Sequence, residues 1–135
     1  MSKTGIVRNP VYLKHSNGPD HPESPKRLLA IDEMLEQFPL KSKIAEIPAR
    51  EATFDELAAI HSKNYIKYIK KTAEQGFTML DMETGSTSDS FAAASRAAGG
   101  TMEAINSVLT GRFSSAFAFV RPPGHHAEAG KAMGF

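Results

Sequence analysis

Cysteine is absent from the 135 residues. That alone excludes disulfides, thiolate zinc sites and a cysteine nucleophile. An excess of either charge is also missing: sixteen lysines and arginines face fifteen aspartates and glutamates, for a formal net charge of +1. So balanced a chain lacks the field that gathers nucleic acid or an anionic membrane surface, and neither is expected as a partner. No apolar run is long enough to span a bilayer, and Met1-Ser2-Lys3-Thr4 leads into no signal-peptide segment. A cytoplasmic protein is the expectation. Internal repeats, low-complexity stretches and a clear linker are lacking too, so residues 1–135 read as one unit.

What is present suits a globular fold. Hydrophobic residues make up 41% and charged residues 23%. A chain of this length buries roughly two-thirds of the surface its unfolded form exposes. The densest basic cluster, Lys63, Lys67, Lys70 and Lys71, has the spacing of one solvated helix face.

The apolar period alternates between strand and helix. Gly5-Ile6-Val7 and Val11-Tyr12-Leu13 are β-prone pieces around Asn9-Pro10. A loop dense in turn formers follows, from Ser16 to Glu23. Ser24-Pro25 reads as an N-cap with proline at the first helical position, and Leu28, Ile31, Leu35 and Phe38 share a face before Pro39 ends the helix. Lys43 to Ile47 alternates as a strand up to Pro48. Thr53 and Glu56 have capping-box spacing and open a short helix through Ile60. Another helix starts near Ser62 and ends at Gly76. Asp81 to Ser90 is polar and irregular. From Ser90 to Leu109 an alanine-rich helix carries Phe91, Ala94, Ala98, Ile105 and Val108 or Leu109 on one stripe, and Gly111 ends it. Its Gly99-Gly100 step invites close backbone packing, since glycine inside a helix otherwise costs about 1 kcal/mol. Ala116 to Val120 is a short apolar run expected to be a strand covered on both faces, as in a parallel sheet. The order implies an α/β layered fold.

The residues that carry chemistry close that strand: Arg121-Pro122-Pro123-Gly124-His125-His126-Ala127. Ligands of parallel α/β sheets gather outside the carboxyl ends of strands. Two prolines and a glycine leave the loop little freedom to lose on folding. Imidazole titrates near neutral pH, so a rigid pair of histidines suits acid–base work. Read without context, the pair more often means strand-capping histidines bonded to backbone. His125 and His126 cannot by themselves complete a zinc site, which takes three protein ligands in catalytic centres.

The segment from Arg121 to Ala127, with Gly134-Phe135 after it, resembles the signature of the histone deacetylase and acetylpolyamine amidohydrolase family. Weaker stretches agree in order: His21 to Leu28, Glu56 to His61 with Asn64-Tyr65-Ile66, Leu80 to Thr84, and the Ser90–Gly100 helix. The resemblance implies the N-terminal portion of an arginase/deacetylase-like parallel sheet with helices on both faces. His126 is then the general base and acid, which activates a metal-bound water and protonates the leaving amine. His125 stabilises transition-state charge, and two such imidazoles titrate as a pair. Phe135 walls a narrow tunnel for an acetyl-lysine-like arm, and the Gly134 carbonyl accepts from the substrate amide. Asp81 matches a rim carboxylate, with Glu83 competing and a solvated loop acid as the plain alternative. Arg27 matches an arginine lining an internal channel, against an ordinary surface arginine. His15 and His61 are assigned to structure. His21 fits a tunnel rim or simply the proline-rich turn.

In the family the zinc ligands, an Asp-x-His pair and a further Asp, follow the double-histidine loop, and so does a carbonyl-polarising tyrosine. None is in this chain, so the resemblance implies zinc, or ferrous iron, in a full-length parent and no metal bound here. The expectation is an inactive partial deacetylase domain whose parent acts on acetyl-lysine or acetylpolyamine, and whose open sheet edge drives self-association. The alternative is a naturally short, non-catalytic interaction module.

Overall fold

The computed structural model describes residues 3–135. At its centre lies β1 (Thr4–Val7), whose Gly5, Ile6 and Val7 are buried. It pairs in parallel with β2 (Ile44–Glu46) on one side and β5 (Ser115–Ala118) on the other, placing Thr4 opposite both Ile44 and Ser115. Parallel neighbours need crossovers, and helices supply them. They are α1 (Lys26–Gln37), α2 (Phe54–Ala58), α3 (Lys63–Thr72) and α4 (Ser90–Leu109). The expected α/β parallel sheet is what forms. No described helix is long and apolar enough to cross a membrane.

Local chemistry explains the boundaries. The Thr53 hydroxyl accepts from the Glu56 N–H at 3.2 Å, and the Glu56 carboxylate accepts from the Thr53 N–H at 2.7 Å, completing the capping box of α2. Ser62 caps α3, and a short 3₁₀ turn carries that helix on to Gly76. At the start of α1, Pro25 takes the cap position without a side-chain bond.

Five expectations need correction. Val11-Tyr12-Leu13 is no strand: Pro10–Leu13 forms a 3₁₀ turn, because the Asn9 side chain accepts from the Val11 N–H at 3.0 Å. The stretch after Gly76 contains an antiparallel hairpin, β3 (Thr78–Met79) and β4 (Gly85–Ser86). Phe38 leaves the buried face of α1 because it already has extended backbone, and it lies exposed. In α4 the stripe is turned over: Ser90, Ala93, Ala97, Gly100 and Ala104 are buried, whereas Ile105, Val108 and Leu109 are exposed. Close approach decides this orientation. A Cβ on Gly99 would overlap the Arg50 carbonyl and lie 2.7 Å from the Ala52 nitrogen, so large side chains cannot face that way. Finally, β5 is covered on one face only, where Ala116 and Ala118 pack on Val7, Ile47, Ala104 and Phe113. On its other face Phe117 is 62% exposed and stacks on Phe119 at 5.1 Å.

Candidate functional site

Beyond β5 the chain turns sharply. The Arg121 side chain is fully buried, and Gly124 takes the left-handed conformation at φ +69°. The Ala127 N–H donates to the Gly124 carbonyl at 3.0 Å, which closes a tight loop around His125 and His126. Their rings lie 4.3 Å apart, centroid to centroid, and both are exposed. Gly134 returns against them at φ +77°: a Cβ there would overlap the His126 side chain and lie 2.7 Å from its Cδ2. Phe135 then meets His21 edge-on at 4.8 Å, and its N–H donates to the Thr84 hydroxyl at 3.3 Å. His125, Gly134, His126, Phe135 and His21 therefore form one neighbourhood, although up to 114 positions separate His21 from Phe135 in the chain.

Beside it opens a cavity of about 470 Å³. His125 and Phe135 stand on its wall with Leu57, Ile69, Phe91 and Ala94, so α4 contributes Phe91 and a run of small side chains to this space. Its polar contribution includes His15, which is 2% exposed. The His15 Nδ1 pairs with the Ser90 hydroxyl at 2.8 Å, while its Nε2 has no hydrogen-bond partner. Burial, and then the charge of Arg121, push its pKa down to about 4. His61, assigned to structure from the sequence, also stands on the cavity wall, and its Nδ1 donates to the Glu128 carbonyl at 3.0 Å, tying the start of α3 to the segment after the histidine pair.

Two sequence-matched residues fall outside this neighbourhood. Arg27 does not line the cavity; it sits on the exposed first turn of α1 and reaches only Glu23, at 3.4 Å. Asp81 lies on the turn of the β3–β4 hairpin, where its carboxylate accepts from the Glu83 N–H at 2.8 Å. That bond, with the Thr84 hydroxyl, holds its pKa below the ordinary value. Its neighbours Leu80 and Thr84, not Asp81, reach the cavity.

Arg121, read from the sequence only as part of a motif, is a fully buried guanidinium. Its Nε and Nη2 each donate to a Glu23 carboxylate oxygen at 2.7 Å, and its Nη1 donates to the Tyr12 and His15 carbonyls. Burial works to raise the Glu23 pKa, but the Arg121 hydrogen bonds and charge outweigh it and hold the carboxyl below its usual value. An arginine directly after an apolar strand, with Glu23 closing a turn rich in proline and glycine, was the available signal.

As a metal centre the described residues fall short. No group of three or more His, Cys, Asp or Glu side chains converges among them, and adjacent histidines on one loop do not make the three-ligand set of catalytic zinc.

Comparison with known proteins places this geometry. Residues 21–135 match the histone deacetylase domain family, and the chain belongs to that family. It is 35% identical to histone deacetylase HDA1 of Candida albicans over 98% of this chain and 19% of that protein. It is 34% identical to a probable deacetylase of Archaeoglobus fulgidus, over 98% of this chain and 37% of the relative. The polyamine deacetylase HDAC10 of Homo sapiens is 34% identical over 84% of this chain and 18% of its own length. Among solved structures, the HDA15 HD domain superposes with a TM-score of 0.94 at 34% identity, covering 99% of this chain and 39% of that one. The chain thus spans from about a fifth to two-fifths of the relatives it matches.

Proposed function

We propose that this chain supplies the acid–base and tunnel-wall part of a metal-dependent deacetylase site, which hydrolyses N-acetyl amides of lysine side chains or polyamines. The observation that carries the reading is the meeting of His125, His126, Gly134 and Phe135 at the carboxyl end of β5, beside an apolar cavity. Relatives named for histone and for polyamine deacetylation support both substrate classes.

In this reading His126 takes the proton of the attacking water and returns it to the leaving amine. His125, its ring 4.3 Å away, stabilises the charge that develops as the carbonyl becomes an oxyanion. Phe135 flanks the aliphatic arm, and the Gly134 carbonyl accepts from the substrate amide N–H. Zinc or ferrous iron, when bound, would polarise the amide and acidify the water. The residues described here provide no ligand set for it, so its ligands belong to other parts of such an enzyme. Self-association of the isolated chain is part of the same proposal: β5 pairs with β1 alone among the described strands and exposes Phe117 beside its free edge. Sedimentation at micromolar protein should give a dimer or larger species; a clean monomer mass refutes that part.

Reading the coding sequence beyond Phe135 tests the proposal first. An Asp-x-His pair after a further apolar strand is expected. A stop codon there instead favours the non-catalytic module. In the longer protein, His126→Ala should slow hydrolysis of an acetyl-lysine peptide or N-acetylputrescine by about 10²–10⁴-fold. Unchanged turnover contradicts the role given to His126.

A further inference from the structure

The buried pair Arg121–Glu23 lies next to the catalytic neighbourhood without touching the cavity. Its surroundings form a closed circuit of contacts. Arg121 begins the loop that carries His125 and His126. Its fork grips both oxygens of Glu23 at 2.7 Å. The Glu23 backbone holds His21 Nδ1, through its N–H at 3.1 Å or its carbonyl at 3.3 Å, so either tautomer is tied to the same residue. The His21 ring meets Phe135 edge-on at 4.8 Å. Gly134, adjoining Phe135, packs on His126 and returns the circuit to the loop where it began.

We propose that Arg121 and Glu23 act as positioning residues: their ion pair sets the distance between the double-histidine loop and the His21–Phe135 wall. The inference rests on the functional reading for its meaning, but not for its test. A planar guanidinium gripped at two points by a carboxylate fixes orientation as well as distance, which a single contact does not. Two further Arg121 bonds, to the carbonyls of the buried residues Tyr12 and His15, root the fork at the 3₁₀ turn and just beyond it. The remaining Glu23 contacts are weaker: Asn17 Nδ2 at 3.2 Å and the exposed Arg27 at 3.4 Å.

The test is the NMR spectrum of the chain carrying Glu23→Gln. This change preserves shape and the backbone bond to His21 while removing the charge and one acceptor. The expected result is loss of the His21–Phe135 ring NOEs and shifted ring signals of His125 and His126, with β1 and β2 signals unmoved. Arg27→Ala, which removes only the exposed contact, should leave all of these at wild-type positions. If Glu23→Gln does not fold, Arg121→Lys is read in the same way, because lysine keeps the charge and loses the fork. Retained NOEs and unshifted histidine signals in a folded variant overturn the proposal, as do shifts spread equally over β1 and β2. Turnover is a separate readout. If the signals move as expected and the longer protein with His126→Ala still deacetylates, the clamp stands and the acid–base assignment falls.

Discussion

Two arginines in this protein make the same bond in different media. Arg50 forks onto Glu56 at 2.8 Å twice and reaches Glu103 at 2.8 Å, with its side chain 39% exposed. Arg121 forks onto Glu23 at 2.7 Å twice with no exposure at all. Water screens the first cluster, and it holds only the start of α2 against α4. In the second, Arg121 has no solvent to fall back on and the Glu23 side chain is only 8% exposed, so the arginine depends on its partner. Matching geometry therefore says little about importance; the medium decides, and the buried fork is the one that organises the site.

The sharpest way to break this comparison is Glu23→Ala. It strands the Arg121 charge inside the protein and should cost about 3–5 kcal/mol in urea unfolding, a large part of a small domain's stability. A loss as small as that of a surface change would remove the contrast. Next comes acid. The folded His15 pKa is about 4 against an ordinary 6.5, so between these values the unfolded chain binds a proton that the folded chain refuses. Stability should therefore fall as pH drops from about 6.5 to 4, by up to roughly 3 kcal/mol, and be fully present above that window. His15→Gln should flatten the slope across it. Gly99→Ala tests the backbone approach that sets α4: overpacking against Arg50 and Ala52 should cost about 1–3 kcal/mol. The smallest effect belongs to Glu103→Gln at the exposed cluster. Its midpoint in urea should stay nearest to wild type and converge on it as salt is added, whereas the Glu23→Ala loss should persist.

Legibility in the sequence followed how local the deciding force is. Capping at Thr53 and Ser62, the stop at Pro39 and the glycine at position 76 act within a few residues, and each could be read directly. The loop from Arg121 to Ala127 was legible because two prolines, a glycine and two histidines sit together. What escaped depended on distant partners. The buried face of α4 is chosen by Arg50 and Ala52, which are remote in sequence, so hydrophobic periodicity pointed to the wrong side. Tyr12 has a strand-forming side chain, yet Asn9 winds its backbone and the Arg96 carbonyl takes its hydroxyl at 2.9 Å. The contrast between Arg27 and Arg121 has the same origin. Both arginines approach Glu23, one four residues away on an open helix turn and one 98 residues away in the core. Burial separates them, and burial is not written in either residue's neighbours.

The most direct test of the account is the zinc content of the purified chain, measured by elemental analysis after dialysis against zinc and then against metal-free buffer. With His126 in proton transfer, His125 in charge stabilisation and the metal ligands elsewhere, no retained zinc is expected. One tightly held zinc per chain would mean that these histidines and other residues build a metal site of their own, and would contradict the division of labour proposed here.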